Sequence, residues 1–432
     1  MPLTPRGTFS KVLLIAVESI VFVALSLWVG KAYLADVVSQ TVSTEDLALA
    51  SRLDPSNSEY HLQLGRLYEY SLSDINPTRA IEELNQAAQL NPLDEQAWLD
   101  LGAAEEVRGQ IDQAAASLRR ADYLAPYLSG AQWAIANFFL LHGDVNEALR
   151  HFKKVLAGTQ QFNEAIFDTA WKAVGNGDQI LAALIPDNLE TQIRYLWYLL
   201  GRNKLPEAES VWQRIVTDHR EFDPMLASTY IDTLMRAGLE DQAYQAWTEL
   251  QQRHLISEST EAGNLLSNGD FEADSRYFGF AWRINPTPGV YTALDTTVFH
   301  SGGHSLLISF SGKSNLFYQA VTHWVKVTPG VEYQAQAYMK TDGITTDSGP
   351  RLWVFDPLKP AALSKFSEQL VGTNAGWTLL TVDFVPKETH YVTVAITRVP
   401  SQKLDNLISG KVWVDDVSVK PLDEAEHSAA AR

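Results

Sequence analysis

The sequence predicts a multidomain chain: a single transmembrane helix, then an all-α repeat array, then an all-β sandwich. Three observations predict it. A hydrophobic run of nineteen residues occupies 12–30. Alanines recur every 34 residues through the middle of the chain. From about Ser257 the helical period gives way to short alternating runs separated by turn clusters. With 432 residues, 46% hydrophobic and 10% aromatic, there is ample apolar material for two sizeable cores, so more than one domain is expected.

The first element is the apolar run, interrupted only by Glu18 and a few small or hydroxyl residues. As a helix rising 1.5 Å per residue it spans about 28 Å, close to the bilayer core. Arg6 and Lys11 precede it, and positive charge stays on the cytoplasmic side. The expected arrangement is a cytoplasmic tail over 1–11, an anchor over 12–34 and a periplasmic remainder, at a bacterial inner membrane. A cleaved signal peptide is the rival reading. Its apolar core runs roughly 7–15 residues and ends in a small-x-small site, and neither condition is met well. Glu18 is either a carboxylate near the inner interface or a helix-pairing position, since ionisable groups in membranes usually face protein. The chain has no cysteine, which excludes disulfides and cysteine-type zinc sites. Its net charge of −18 is concentrated between residues 43 and 257. Nucleic acid is not an expected partner, because its capture requires basic surface. The acidic face keeps the exported part soluble.

Residues 44–255 carry the repeats. Ala80, Ala114, Ala148 and Ala182 are spaced by 34, as are Gly109, Gly143 and Gly177, each five residues before its alanine. A fixed period of this kind signals stacked supersecondary units. Each glycine is expected to supply the left-handed residue that ends the first helix of a pair. Each alanine lets the second helix approach closely. One unit carries Trp98, Leu101, Gly102, Ala114, Leu118, Ala121 and Pro126. The unit before it carries Leu64, Gly65, Tyr68, Ala80, Leu84, Ala87 and Pro92, with three residues inserted near Asp74. These spacings resemble the tetratricopeptide repeat. Later units are worn: Ala136 stands where a glycine is expected, and Pro186 truncates a second helix. Pairs resume around Ala208 with Trp212 and around Ala243 with Trp247, where Gly238 again precedes its alanine by five. About six helix pairs are expected in all. The resemblance implies that inner-face positions of the first helices bind an extended protein segment. Here they include Glu59, Arg66, Glu69, Glu106, Trp133 and Asn137, which otherwise simply cover a solvated groove. Trp98, Trp212 and Trp247 read as core.

A linker is expected over 256–263, a sandwich over 264–421 and a disordered tail over 422–432. Strands read at 305–310, 317–327, 333–340, 351–355, 378–385, 391–398 and 412–419, separated by glycine turns at 301–303, 328–330 and 341–343. Seven short strands in this length indicate an all-β sandwich. Alternation puts Tyr333, Ala335, Ala337 and Met339 in the core, and Gln334, Gln336, Tyr338 and Lys340 on an exposed face. Arg351, Trp353 and Phe355 alternate likewise with Leu352 and Val354. The valines at 412 and 414, resuming at 417 and 419, imply one extra residue at Asp415-Asp416. That is a bulge, which re-aims one carboxylate.

Seven motifs then follow in order. They are Asn-Leu-Leu-Ser-Asn-Gly-Asp-Phe-Glu at 264–272, Phe-Ala-Trp at 280–282, Gly-Gly-His-Ser-Leu-Leu-Ile at 302–308, Tyr-Gln-Ala-Val at 318–321, Pro-Gly-Val-Glu-Tyr at 329–333, Gly-Trp at 376–377 and Trp-Val-Asp-Asp-Val at 413–417. The series resembles carbohydrate-binding modules of the family 4 and 9 type, which are jelly rolls, and covers the C-terminal third. The resemblance implies first and last strands side by side with a structural calcium between them. Calcium takes six to eight hard oxygens. Asp270, Glu272 and Asp415 are the expected side-chain ligands, with a carbonyl from the Gly303-His304 turn; a metal-free turn and solvated bulge is the alternative. It also implies a glycan site that combines aromatic platforms with amide and charged groups, for which Tyr338, Trp353, Gln336 and Arg351 are the candidates. Against this, aromatics in strands more often belong to the core. Trp282, Trp377 and Trp413 are assigned to packing.

The expected function is a membrane-anchored, non-catalytic scaffold with a protein-binding repeat arm and a glycan-binding tip, serving exopolysaccharide assembly or export. One alternative is a component of a glycan-cleaving system with hydrolase activity on glycosidic bonds. Another is a sandwich that serves only as a rigid end-cap. The repeat region contains no phosphate loop, zinc-protease motif or nucleophile elbow. Glycoside hydrolysis needs two carboxylates about 5–9.5 Å apart across a cleft, and the acidic residues of the sandwich fall at strand ends and turns. His300 and His304 lie four apart in a turn, not on a helix, so a metal pair is not expected there.

Overall fold

The computed structural model describes residues 8–41, 43–71, 74–218, 220–256, 261–273 and 278–422. It divides into two compact units, Met1–Tyr195 and Leu196–Arg432. The expected tail, apart from Leu422, and most of the expected cytoplasmic segment lie outside the described residues, as do positions 257–260 of the expected linker.

The first unit begins with α1 (Thr8–Ser39), the one described helix long and apolar enough to cross a membrane. It is compatible with a single-pass anchor or a signal sequence. The helix outruns the anchor expected to end at 34. Its last turns pack: Ala35 is fully buried against Ala50 and Tyr60. Next comes α2 (Thr44–Leu53), capped by Ser43, whose hydroxyl accepts from the Asp46 N–H and donates to the Asp46 carboxylate.

Helix pairs follow, in the tetratricopeptide-like pattern: α3 (Ser58–Tyr70) with α4 (Pro77–Leu90), α5 (Glu95–Val107) with α6 (Ile111–Leu124), α7 (Ser129–Leu141) with α8 (Val145–Gly158), and α9 (Asn163–Val174) with α10 (Gly177–Ala183). Asn57, Asn76, Asp94 and Asp144 accept backbone N–H groups at their helix starts. Each such cap contributes about 1 kcal/mol. The pairs close where a side chain is missing. A Cβ on Gly65 would lie 2.6 Å from the Leu84 side chain, and one on Gly102 would lie 2.8 Å from Leu118.

Gly109 and Gly143 are left-handed, at φ 72 and 83, as the repeat spacing predicts. The fourth pair departs from it. Gly175, at φ 68, ends α9, and Gly177 instead opens α10. Period alone cannot choose between two glycines two residues apart. Pro186 lies beyond the end of α10, which has only seven residues. The unit boundary falls inside α11 (Leu189–Gly201).

The second unit contains α12 (Leu205–Thr217), α13 (Ser228–Arg236) and α14 (Glu240–Gln252), then the sandwich. Among the described residues, ten strands form two five-stranded antiparallel sheets. Sheet one runs β1 (Arg283–Ile284), β4 (Tyr318–Lys326), β9 (Tyr391–Arg398), β6 (Arg351–Phe355), β7 (Ser364–Phe366). Sheet two runs β2 (Val290–Asp295), β3 (Ser305–Ser311), β10 (Ser409–Pro421), β5 (Tyr333–Asp342), β8 (Thr378–Phe384). Seven strands match the sequence reading closely. The others, β1, β2 and β7, are sheet-edge strands whose burial patterns show no clean alternation. The core lies between the sheets and includes Ala335, Ala337, Met339, Val394, Val412 and Val414, all fully buried.

The sandwich does not stand apart from the helices before it. Trp247 of α14 meets Phe278 at 5.2 Å, and Phe280 meets Tyr244 at 5.1 Å and Trp324 at 6.4 Å. Asp232 pairs with Arg283 at 2.6 Å, and the Tyr391 hydroxyl donates to Asp241 at 2.8 Å. Gly279, at φ 59, passes so close that a Cβ would lie 2.6 Å from the Trp247 ring. Trp247 is therefore core, as its spacing suggests, but part of its core is the sandwich.

Candidate functional site

The acidic motifs at 264–272 and 412–419 do meet. Leu265 N–H donates to the Val419 carbonyl at 2.9 Å, and Val417 N–H to that of Gly269 at 2.8 Å. Only glycine fits at 269, where a Cβ would lie 1.9 Å from the Val417 oxygen. The strand register slips between Asp415 and Ser418, and Asp416 takes φ 48. This is the bulge read from the valine spacing.

The bulge sends the two carboxylates opposite ways. Asp415 turns inward and is fully buried. It accepts from the backbone N–H groups of His300 at 2.7 Å, Ser301 at 3.2 Å and Asp416 at 2.8 Å. Burial still pushes its carboxyl up to about 6, the three amides only moderating the rise. Asp416 turns outward and accepts from the Ser301 hydroxyl at 2.8 Å and from His300 Nδ1 at 2.5 Å. Glu272 accepts from Gly303 N–H at 2.6 Å and His304 N–H at 2.8 Å, and pairs with His304 Nδ1 at 2.8 Å. The Gly303 amide, then the His304 ring, hold its carboxyl below the usual range. Asp270 accepts from Glu272 N–H at 3.5 Å.

This donor set does not fit calcium as folded. Calcium is coordinated by oxygen, whereas the expected ligands Glu272 and Asp415 are aimed at N–H groups. The Gly303-His304 turn offers Glu272 amides in place of the expected carbonyl. Among the described residues, no group of three His, Asp or Glu side chains is placed to hold a metal ion. The carboxylates staple turns to the seam.

The four glycan candidates are divided between two sheets. Tyr338 and Gln336 lie on β5 of sheet two, Trp353 and Arg351 on β6 of sheet one. Alternation fixes which face a side chain takes, not which sheet its strand joins. Tyr338 and Gln336 line a cleft of about 460 Å³ with Asp270, Asp416, Ser418 and Lys420. One face of Tyr338 is already covered by the His300 ring at 3.7 Å, on which Trp377 sits edge-on at 5.6 Å. His300 and Trp377 thus back one face of the Tyr338 ring.

On sheet one, Trp353 stacks with Phe355 at 3.9 Å and with Phe366 at 5.2 Å, its ring within 9° of parallel to the latter. The indole N–H of Trp353 donates to the Ser364 hydroxyl at 3.0 Å, which fixes the ring. Phe317 adds an edge contact at 6.3 Å, and the Arg351 guanidinium lies 4.6 Å from the Phe366 centroid. Phe366 and Phe317 are 42% and 50% exposed, so the row is open at the β7 edge. Neither was anticipated. The signal was Ser-Lys-Phe at 364–366, too short to read as a strand.

The six groove candidates fall on α3, α5 and α7. Arg66 pairs with Asp100 of the next pair at 2.5 Å, and Glu106 with His142 at 2.8 Å, so both bind neighbouring repeats together. Glu59 is exposed and accepts from Gln63. Burial raises the pKa of Glu69. Trp133 packs on Phe162 at 4.8 Å and Phe152 at 5.5 Å, and exposed Asn137 donates to the Trp133 carbonyl. Tyr70, Val107 and Leu141 were missed. They end α3, α5 and α7 and are 67%, 68% and 76% exposed. Their recurrence at the end of each first helix was legible in the repeat spacing.

A scan against protein-family models finds no match, and no curated protein matches the chain. Solved structures match parts of it. A crystal structure of MamA is 16% identical, covering 49% of this chain and 86% of its own, with a TM-score of 0.24. PilF of Pseudomonas aeruginosa is 14% identical, covering 54% of this chain and 94% of its own, with a TM-score of 0.25. The enzymatically active domain of tailspike protein 4 of bacteriophage CBA120 is 17% identical, covering 37% of this chain and 22% of its own, with a TM-score of 0.27.

Proposed function

We propose that this chain is a membrane-anchored, non-catalytic scaffold whose helix pairs bind a protein partner and whose sandwich binds a glycan, in exopolysaccharide assembly or export at a bacterial inner membrane. The carrying observation is the stacked row Phe355, Trp353 and Phe366, open at the sheet edge and flanked by Phe317 and Arg351. Flat aromatic faces suit the C–H faces of a pyranose ring, and the neighbouring polar groups suit its hydroxyls. A retained anchor is supported by Ala35, whose burial against Ala50 and Tyr60 makes the end of α1 part of the first unit's core. Protein binding is supported by the exposed Tyr70, Val107 and Leu141 at the ends of the first helices.

A glycan array probed with the full chain in detergent micelles tests the glycan reading. Trp353→Ala should abolish the signal, while Tyr338→Ala should leave it, because the two lie on different sheets. No binding to any bacterial or plant polysaccharide would remove glycan from the proposal. Loss in Tyr338→Ala alone would move the site to the cleft.

A further inference from the structure

We infer that the aromatic row on sheet one selects acidic sugars, with the Arg351 guanidinium as the carboxylate-binding group; this rests on the glycan reading above. Arginines in so acidic a chain ordinarily find a carboxylate, as Arg66, Arg150 and Arg283 do. Arg398 has none but is saturated by oxygen, bonding the carbonyls of Ser348, Leu316 and Asn406 and the Asn315 side chain. Arg351 has neither arrangement. Among the described residues no carboxylate lies within ion-pair distance of it, Glu368 acts on it only at longer range, and its Nε is buried without a hydrogen-bond partner. Its guanidinium is held over the exposed Phe366 ring at 4.6 Å.

The terminal N–H groups of the guanidinium also carry no hydrogen bond to any described residue, and a ligand that supplies acceptors there gains charge-assisted bonds. The guanidinium fork matches a carboxylate bidentately, with two charge-assisted bonds that no single hydroxyl offers. Arg351 and Trp353 are two residues apart on β6 and share a face. That spacing is about 7 Å along a strand, the scale of one sugar ring with its exocyclic group. A hexuronate stacked on Trp353 and Phe366 therefore brings its carboxylate to Arg351. A neutral hexose places a hydroxymethyl there and gains less.

Titration calorimetry of the full chain in detergent micelles tests this, with hexamers of galacturonate, mannuronate and glucuronate and the methyl ester of each. At least one acid hexamer should bind roughly tenfold to a hundredfold tighter than its ester, and the preference should shrink as salt rises. Arg351→Gln should bind acid and ester alike, Arg351→Lys should keep part of the preference, and Trp353→Ala should weaken both. Unchanged melting of Arg351→Gln confirms that the fold is intact. Equal affinity of wild type for acid and ester, or a preference that survives in Arg351→Gln, overturns the inference. Binding of neutral glycans only overturns it while leaving the glycan reading standing; failure of every glycan overturns both.

Discussion

His323 makes the sandwich core sensitive to acid, and the size of the effect follows from its surroundings. The ring is 2% exposed and packs edge-on to Trp282 at 5.2 Å. Its Nδ1 lies 2.8 Å from the Trp324 carbonyl, which only accepts, so Nδ1 carries the proton. Nε2 then accepts from the Ser267 hydroxyl at 3.1 Å. Burial pushes the pKa down to about 3 from 6.5. In the unfolded chain the imidazole protonates below pH ~6.5, whereas the native one stays neutral. The unfolded state thus binds more protons across this window, and stability present above 6.5 drains away as pH falls. Each pH unit costs about 1.4 kcal/mol, so the loss from pH ~6.5 to ~5 is about 2 kcal/mol. Asp415 opposes this. Its native pKa is raised to about 6, so the native state takes up that proton first and gains stability as pH falls below 6. His151, in the first unit and pushed down to about 4 by burial, acts there in the same sense as His323. Comparison with His323→Gln removes the terms the two proteins share. The assay is hydrogen–deuterium exchange of the β4 and β9 peptides in the full chain. Wild type should lose about 2 kcal/mol more than His323→Gln between pH ~6.5 and ~5. Identical pH dependence in the two proteins would refute the reasoning.

Two further outcomes are expected. Arg398→Met should destabilise the sandwich strongly, at about 1–3 kcal/mol for each carbonyl left unpaired, those of Leu316 and Asn406; chemical denaturation measures it, and a loss below 1 kcal/mol contradicts the account. Addition or chelation of calcium should leave the melting temperature unchanged, because the expected ligands already accept amide N–H groups; a calcium-dependent rise lost in Asp415→Ala would show that they rearrange around the ion.

The repeats were legible because two residue types keep one register: Gly109 and Gly143 end helices, while Ala114 and Ala148 sit fully buried under the facing ones. Where the register offered two glycines, at 175 and 177, the left-handed one was decided by helix closure, which spacing does not encode. In the sandwich, alternation placed residues 333–340 of β5 on their correct faces, though Thr341 and Asp342, read as a turn, continue the strand. It said nothing of sheet membership, so Tyr338 and Trp353 were joined in one site that the topology divides. The carboxylates of the seam were found by their motifs, but their partners were not. An Asp in a bulge looks the same in sequence whether it faces an ion or, as Asp415 does, three amides. The contact of α14 with the sandwich was hidden for a further reason. Phe280 reads as framework of one domain, and Trp247 as core of another, so nothing local marked them as partners.

That contact has a mechanical consequence. Phe280 touches Tyr244 and Trp247 on one side and Trp324 and Tyr391 on the other. Tension applied at β6 passes to β9 through their paired backbones, reaches Tyr391, and enters α14 through the hydroxyl bond to Asp241. Pulling on that sheet and straining the last helix pair become a single event.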